Sequence, residues 1–595
     1  MDVTRENFRK ILPEIEETIN RCVFMAIDGE FTGLSSGLEE ALSPFDTPAE
    51  YYHKTKANSM DFLFIQFGLV AFMYNKEEKK YTNRAYNFYM FPKPMSRQAP
   101  DCRFMCQTSS LDFLASHGFD FNKLFRQGIP YLNKRDETAM RTKLEEAREK
   151  RKSFSVDRNN SFVECPPEHR DEVKNAVNLI VDFLSTKQGG QELVLPQTTA
   201  FIRKLVYQEI HKRYSTDEMH VETKNGVMVV KHPLTEEQKA EEEKKKMEEE
   251  EASIDDAVGF STVIKLISQS RKLIVGHNML LDLCHMIHRF CEPLPDSYLE
   301  FKEILHSVFP YILDTKFMCA TRPLCDKVPS SVLSHLLTTV SEPPFTLLTV
   351  EPEGEHAYSR LDQKEHEAGF DAYITGTIAI ALSNYLARHK KNKSDMKLPS
   401  ADAPHLKDVI NRLFMMKVSD CFIDLEQDDP EPKRDAVFHV TFPEQWKLTD
   451  LSNLFSPYGG VYVSWINSRS AYCSLSDKSQ ALKVLNSLAP AAPAGVTVRS
   501  YYAHHNLLQA SSPATGSRRK LSAELTIKRP SVDPIPEEAE DKGTPVGTHL
   551  KRKRKLSENK NDTKNIFETA VASESKNTTG AHKKLKLFEE SLDWG

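Results

Sequence analysis

A chain of 595 residues is too long for a single core, so several domains of roughly 100–200 residues each are expected. Charged residues make up 28% and hydrophobic residues 39%, which fits soluble globular domains with polar additions. The net charge of −6 excludes a global basic field for nucleic acid, so RNA contact has to come from local patches or from metal held at an acidic site.

The first predicted element is a helix with Thr4 as its N-cap and Phe8, Ile11, Leu12, Ile15 and Ile19 at helical spacing along one inward face. Next, the run Val23-Phe24-Met25-Ala26-Ile27-Asp28-Gly29-Glu30-Phe31 reads as an apolar strand that ends in two carboxylates. Side chains alternate along a strand, which puts Asp28 and Glu30 on one face. Crowded like charges raise each other's pKa unless a cation offsets them. The same residues also fit an ordinary acidic strand end in water, and later stretches bear on the choice. Strands over 61–70 and 85–91 follow with short connections, an antiparallel start to a mixed sheet.

Helices are predicted over 111–124 and 136–152, the second mostly charged and exposed. Phe113, Phe119, Phe121 and Phe125 form an aromatic-rich patch of the kind that is more often core than interface. Val173, Val177, Ile180, Val181 and Leu184 mark an amphipathic helix, 201–214 another, and 226–230 a short strand. Arg203, Lys204, His211, Lys212 and Arg213 make either a phosphate-contacting patch or a solvated helix face. The Lys/Glu run over 236–251 buries nothing and reads as a solvated linker or exposed helix.

Apolar elements then resume, with a helix around Val263 to Ile267 and a strand over 272–275. Gly276-His277-Asn278-Met279-Leu280-Leu281-Asp282 places an acid at the start of an apolar helix over 280–290. Cys284, His288 and Cys291 fall on one face of that helix; with no fourth zinc ligand nearby they read as buried helix residues. The ten cysteines are scattered without Cys-x-x-Cys, and with a polar N-terminus this points to a reducing intracellular compartment. Another strand, 311–316, contains Asp314.

His366-Glu367-Ala368-Gly369-Phe370-Asp371 sets a His five residues before an acid, within a long Ala- and Ile-rich helical stretch over 361–389 that suits a buried crossover on the sheet. Asp314 and Asp371 compete for the role of fourth metal ligand. His366 gives Asp371 a mechanistic companion and favours it.

From Arg434 onward, strands over 437–442, 461–465 and 471–475 and helices over 449–455 and 478–488 give a βαββαβ order. This resembles an RNA-recognition motif, whose sheet stacks bases on aromatic side chains. Here Ser470 and Leu475 stand where those aromatics are expected. Trp465, at a strand end, is either an aromatic platform or a core tryptophan. Beyond Asn506 the composition predicts disorder, and Lys551-Arg552-Lys553-Arg554-Lys555 fits a nuclear import signal or, less specifically, RNA contact. No apolar run approaches the ~20 residues that span a bilayer, so no membrane partner is expected.

Three motifs, Asp28-x-Glu30, Asn278-x-x-x-Asp282 and His366-x-x-x-x-Asp371, together resemble the DEDD exonucleases of the His subtype, and within them the poly(A)-specific ribonucleases, or deadenylases. The resemblance covers nearly the whole chain. It implies an α/β fold: a ribonuclease H-like mixed-sheet nuclease core, interrupted by a small α+β nucleic-acid-binding module and followed by an RNA-recognition motif and a disordered tail. The implied bounds are 1–165 and 257–420 for the two parts of the nuclease, 166–235 for the module, 236–256 for a charged linker, 430–505 for a cap-binding RNA-recognition motif, and 506–595 for the tail. The family's module is named for an Arg-x-x-x-His motif, and here Arg203-Lys204-Leu205-Val206-Tyr207 lacks the His.

The implied activity is 3′-to-5′ exoribonuclease shortening of mRNA poly(A) tails with release of 5′-AMP. Asp28, Glu30, Asp282 and Asp371 would hold two Mg²⁺ ions, or Mn²⁺, and His366 would take a proton from the attacking water. The resemblance also carries the adenine preference, with Phe31, Leu34, Asn278 and Lys316 as candidates for base-stacking, base-edge and phosphate contacts. It assigns Trp465 to the 7-methylguanosine cap, makes the Phe113–Phe125 patch a homodimer contact, and fits a protein of nucleus and cytoplasm. Two other functions fit the same residues: an exonuclease trimming oligoadenylated 3′ ends of small non-coding RNAs, and a non-catalytic RNA-binding adaptor. The five retained chemical positions argue against the adaptor.

Overall fold

A computed structural model of the chain describes residues 1–511, apart from 38–40, 96–98, 155–162, 186–191, 215–217, 225, 232–235, 363 and 390–398. Met1–Ala503 belong to one compact unit. Its largest sheet runs, in spatial order, Asp2–Val3, Lys80–Tyr89, Phe64–Asn75, Phe24–Phe31, Leu273–Gly276 and Ile312–Asp314, with Val350–Pro352 pairing alongside Lys80–Tyr89. Phe64–Asn75 is antiparallel to both of its long neighbours, and the strands after residue 270 join in parallel, which is the mixed sheet expected.

Phe24–Phe31 lies inside this sheet and is buried on both faces. Met25, Ile27 and Phe31 enter one core with Phe8, Ile264 and Leu283, while Phe24 and Ala26 enter the other with Tyr373 and Ile378. That double burial explains why the strand is a continuous apolar run up to its acidic end.

The helix of the second core, Ala368–His389, begins later than the predicted 361. Its first N–H groups have no partner within the helix. The sheet supplies them: Ala368 N donates to Gln66 Oε1 at 3.0 Å and Gly369 N to Asn87 Oδ1 at 2.7 Å. The helix start lies so close to the sheet that a Cβ at Gly68 would sit 2.1 Å from the Ala368 carbonyl oxygen. Gly68 pairs with Asp28, so this contact fixes the first helical turn over the acidic strand end.

Within the module, helices Arg170–Ser185 and Ala200–His211 share a small core with a three-stranded sheet of Glu192–Val194, Val227–Lys231 and His220–Lys224. Arg203 donates through Nη1 to the carbonyls of Thr198 and Gly226, the latter at 2.8 Å, and Lys212 pairs with Glu209 at 2.5 Å. These two members of the expected phosphate patch are therefore engaged inside the module. The expected linker is a helix, Glu236–Val258. It is tied to helix Lys134–Phe154 by Arg141–Glu251 and Arg148–Glu250 pairs, each 2.7 Å, with Ile254, Ala257 and Val258 buried at its end.

The last domain has the expected βαββαβ order, with sheet order Val461–Asn467, Ser470–Leu475, Val437–Thr441, Thr497–Ser500. Leu475 faces the helices with Ala471 and Cys473, whereas Tyr472 joins a separate cluster on the opposite face. The sheet therefore does carry an outward aromatic, two residues after Ser470 and three before Leu475, the positions read in the sequence. Helix Tyr501–Ser511 extends into the stretch expected to be disordered. Residues 512–595, with the Lys551–Lys555 block, lie outside the described residues. Among the described residues no helix is long and apolar enough to cross a membrane.

Candidate active site

The pairing of Phe24–Phe31 with Phe64–Asn75 breaks register after Glu30, at the end of the strand that carries both acids. Asp28 and Glu30 follow Phe24 and Ala26 in the alternation and so face the helix that carries Asp371. One carboxylate oxygen from each of Asp28, Glu30 and Asp371 lies within 4.8 Å of the other two. Asp282 is in the first turn of helix Leu280–Met286, on the other side of the sheet. A Cβ at Gly29 would lie 2.9 Å from Asp282 Oδ1, so glycine between the two acids lets this fourth carboxylate come up against the strand.

Burial pushes the Asp28 and Glu30 carboxyls well above the ordinary range, and repulsion from Asp371 and Asp282 pushes them further. Asp282 and Asp371 are each raised to about 7, chiefly by burial. Four acids that resist joint ionisation, offering only hard oxygen donors, fit a site for Mg²⁺ or Mn²⁺ and do not suit a soft metal.

Asp314 has a different role. Fully buried, it accepts at Oδ1 from the backbone N–H of Asn278 (3.0 Å), Lys316 (2.9 Å) and Phe317 (3.4 Å), and at Oδ2 from that of Phe414 (3.1 Å). It caps the helix that follows it and anchors the Asn278 loop, and its charge adds to the repulsion felt by Asp282.

His366 sits in the left-handed region at φ 67°, and its N–H donates to Asp371 Oδ2 at 3.2 Å. Its ring stands edge-on to His117 at 4.3 Å and to Phe113 at 4.7 Å. Burial, with a further contribution from His117, lowers its pKa and keeps the imidazole neutral at neutral pH. The sequence reading missed His117 and put Phe113 in a dimer patch. The available signal was their i, i+4 spacing on helix Thr108–Ser116 and its cap, which puts both rings on one face.

The substrate candidates divide. Phe31 is buried against Phe64 (4.6 Å) and His285 (4.7 Å), so it supports the strand and does not offer a free stacking face. Leu34 is half-buried; its N–H donates to Gln107 Oε1 at 3.2 Å and its carbonyl accepts from Ser59 Oγ at 2.7 Å. Asn278, at φ 58°, and Lys316 are brought together because both backbones bond to Asp314.

In the last domain Trp465 is 44% exposed, which does not fit a core tryptophan. A register shift between Trp465 and Asn467 re-aims the strand there, and the indole stands nearly perpendicular to the Phe442 ring at 5.3 Å.

Residues 3–379 match the CAF1 family of ribonucleases and residues 427–507 an RNA-binding domain. The chain is 42% identical to the poly(A)-specific ribonuclease PARN of Xenopus laevis over 500 residues, 82% of this chain and 78% of that protein. PARN of Homo sapiens is also 42% identical, over 501 residues and the same shares of each chain. The pre-piRNA 3′-exonuclease trimmer of Bombyx mori is 27% identical over 500 residues, 82% of this chain and 90% of that protein.

Proposed function

The chain belongs to the CAF1 ribonuclease family, and from that membership and its carboxylate site we infer how it acts. It is a poly(A)-specific 3′-exoribonuclease that shortens adenosine tails from the 3′ end. The observation that carries the chemistry is the approach of Asp28, Glu30 and Asp371 oxygens to within 4.8 Å of one another, with His366 bonded to the last of them.

Asp28, Glu30 and Asp371 would hold divalent metal, with Asp282 completing the set. Bound there, two such ions supply charge stabilisation for the attacking and leaving oxygens of an in-line displacement. The protein's own groups do the rest. Gly68 and Gly29 set the carboxylates at close range, and Asp314 anchors the Asn278 and Lys316 backbones beside them. His366, neutral and held between Asp371 and the His117–Phe113 pair, accepts a proton from the attacking water. The product of each cycle is 5′-AMP.

Trp465 binds the 7-methylguanosine cap in this reading, through the stacking of a cationic base on an exposed indole. The homodimer contact falls to the exposed Phe125 rather than to Phe113, which belongs to the His366 side. The basic block 551–555 directs part of the protein to the nucleus.

The test is a time course on 5′-labelled oligoadenylate with Mg²⁺ and with chelator. Stepwise shortening in Mg²⁺ alone is expected, and no shortening, or internal cleavage, would refute the assignment. The likeness to a trimming exonuclease favours a second reading, action on adenylated ends of small RNAs. Running poly(A), poly(U) and mixed tails in parallel separates the two: the deadenylation reading expects shortening to stop at the first non-adenosine, and the trimming reading expects it to continue past the adenosines into the mixed end.

A further inference from the structure

The outward face of the last domain's sheet, where an RNA-recognition motif stacks its bases, is occupied by the nuclease. Phe45 projects onto it, its ring 5.6 Å from that of Tyr472 and 6.2 Å from that of Tyr462, both edge-on. Phe45, Val437, Tyr472 and Tyr501 form one buried cluster. Ser43 Oγ reaches Ser464 Oγ of the same sheet face at 3.3 Å.

One buried arginine locks this seat. Arg434 is 1% exposed, and the five N–H groups of its guanidinium all have partners. Nε and Nη2 donate to the two Asp420 oxygens at 2.9 and 2.8 Å, Nη2 also to the Asp46 carbonyl at 3.2 Å, and Nη1 to the Phe45 carbonyl and to Tyr501 Oη at 2.6 Å. A fully satisfied buried charge makes a fixed joint, since losing any one partner leaves a desolvated donor.

Hydrogen bonds tie the residues around Phe45 to those that follow the catalytic strand. Leu34 and Ser36 are bonded to the helix that follows Phe45, through Ser59 and Asn58, and Lys54 of that helix holds Asp46 at 2.8 Å and the Ala41 carbonyl at 3.2 Å. Thr47 caps the same helix with a reciprocal bond to Glu50.

We infer that the sheet of the RNA-binding domain serves as a socket for Phe45, and that Phe45 is a positioning residue: seated there, it holds the helix that follows it, and through that helix Leu34 and Ser36, in register with the carboxylates. This rests on the exonuclease reading above. In consequence the domain contributes to turnover of RNA that carries no cap, without stacking bases on Tyr472.

The test uses the full chain and 5′-labelled uncapped oligoadenylate, with kcat and KM measured for wild type, Phe45→Ala, Phe45→Leu, Tyr462→Ala, and Phe45→Ala/Tyr462→Ala. Displacement of a substrate-positioning segment by about 1 Å costs up to ~100-fold, so a fall in kcat/KM of about tenfold is expected for Phe45→Ala. A smaller fall is expected for Tyr462→Ala, with near-complete retention in Phe45→Leu. Because the two side chains share one contact, the double variant should fall no further than Phe45→Ala alone. Affinity for the same RNA in chelator, by fluorescence anisotropy, should not rise.

Tyr462 is 41% exposed, so its variant stays folded even if Phe45→Ala does not. Folded variants with wild-type kinetics would overturn the inference. So would tighter RNA binding by Phe45→Ala that Tyr472→Ala abolishes, because that would make the sheet a plugged RNA platform. An inactive wild type would refute the exonuclease reading instead, which keeps the two failures apart.

Discussion

Replacing Asp371 with Asn should make the metal-free enzyme more stable while destroying its activity. The carboxyl of Asp371 is raised from an ordinary 3.8 to about 7, chiefly by burial, with Glu365 and Glu367 adding repulsion. Between those two values the folded chain keeps a proton that the unfolded chain has released. The acid is therefore harmless below pH ~4 and costs stability increasingly as pH rises through about 7. A carboxyl displaced that far resists ionisation at neutral pH by about 4 kcal/mol at most, and because the four acids are coupled, a net gain of roughly 1–3 kcal/mol is expected on removing one.

Thermal unfolding in chelator at pH 5, 6, 7 and 8 reads this directly, since 1 kcal/mol moves Tm by about 2–4 °C in a domain of 150–250 residues. The wild type should lose stability steadily with rising pH, and Asp371→Asn should lose distinctly less. Adding Mg²⁺ should then stabilise the wild type and leave the variant where it was. If Asp371→Asn melts lower than wild type in chelator at pH 8, or follows the same pH slope, the crowded carboxylates are not a source of strain and the metal-site argument fails.

Asp314→Ala should behave oppositely: four backbone N–H groups lose their acceptor, so the melting temperature should drop by the equivalent of about 3 kcal/mol or more, while the Mg²⁺-dependent gain in Tm persists. His366→Ala should lower kcat by ~10²–10⁴-fold yet keep metal binding by calorimetry, and loss of metal binding would move His366 from proton transfer to coordination. Trp465→Ala should weaken 7-methylguanosine cap binding by about 1–3 kcal/mol and spare uncapped substrate. An equal loss on both substrates would make Trp465 part of the catalytic framework. Replacing residues 551–555 by alanine should reduce nuclear accumulation and leave the kinetics of the purified enzyme unchanged; unaltered nuclear levels would end the import assignment.

The acids and the histidine were legible because each sits where an apolar run stops or a helix starts, and those boundaries are written in local composition. Asp314 obeyed the same rule and belongs to a different task. What separates it from Asp371 is the set of backbone N–H groups that converge on it from Asn278, Lys316 and Phe414, a long-range fact no spacing encodes. Phe31 misled for a related reason. The family resemblance made it a candidate base contact, but strand alternation turns it to the face opposite Glu30, against Phe64 and His285. In the last domain's sheet the same alternation decides: Leu475 falls on the helix-covered face with Ala471 and Cys473, and Tyr472, between the two positions read in the sequence, points outward.

The chain must also fold before any metal offsets the repulsion among its four carboxylates, and the structure shows what opposes it. Asp371 is placed by a helix whose first N–H groups are bonded to Gln66, on the strand next to the acid pair, and to Asn87, on the strand beyond it, and whose start touches the sheet at Gly68. Asp282 is placed by a helix whose apolar side, Leu280, Leu283 and Met286, is buried in the other core. Each of those three apolar side chains contributes roughly 1.5–3 kcal/mol on burial, comparable to the cost of holding one acid near its neighbours. The two cores clamp the acids from opposite sides of one strand. That is why Gly29, between them, has to remain small: a side chain there would meet Phe64 from one core and Asp282 from the site, and the clamp could not close.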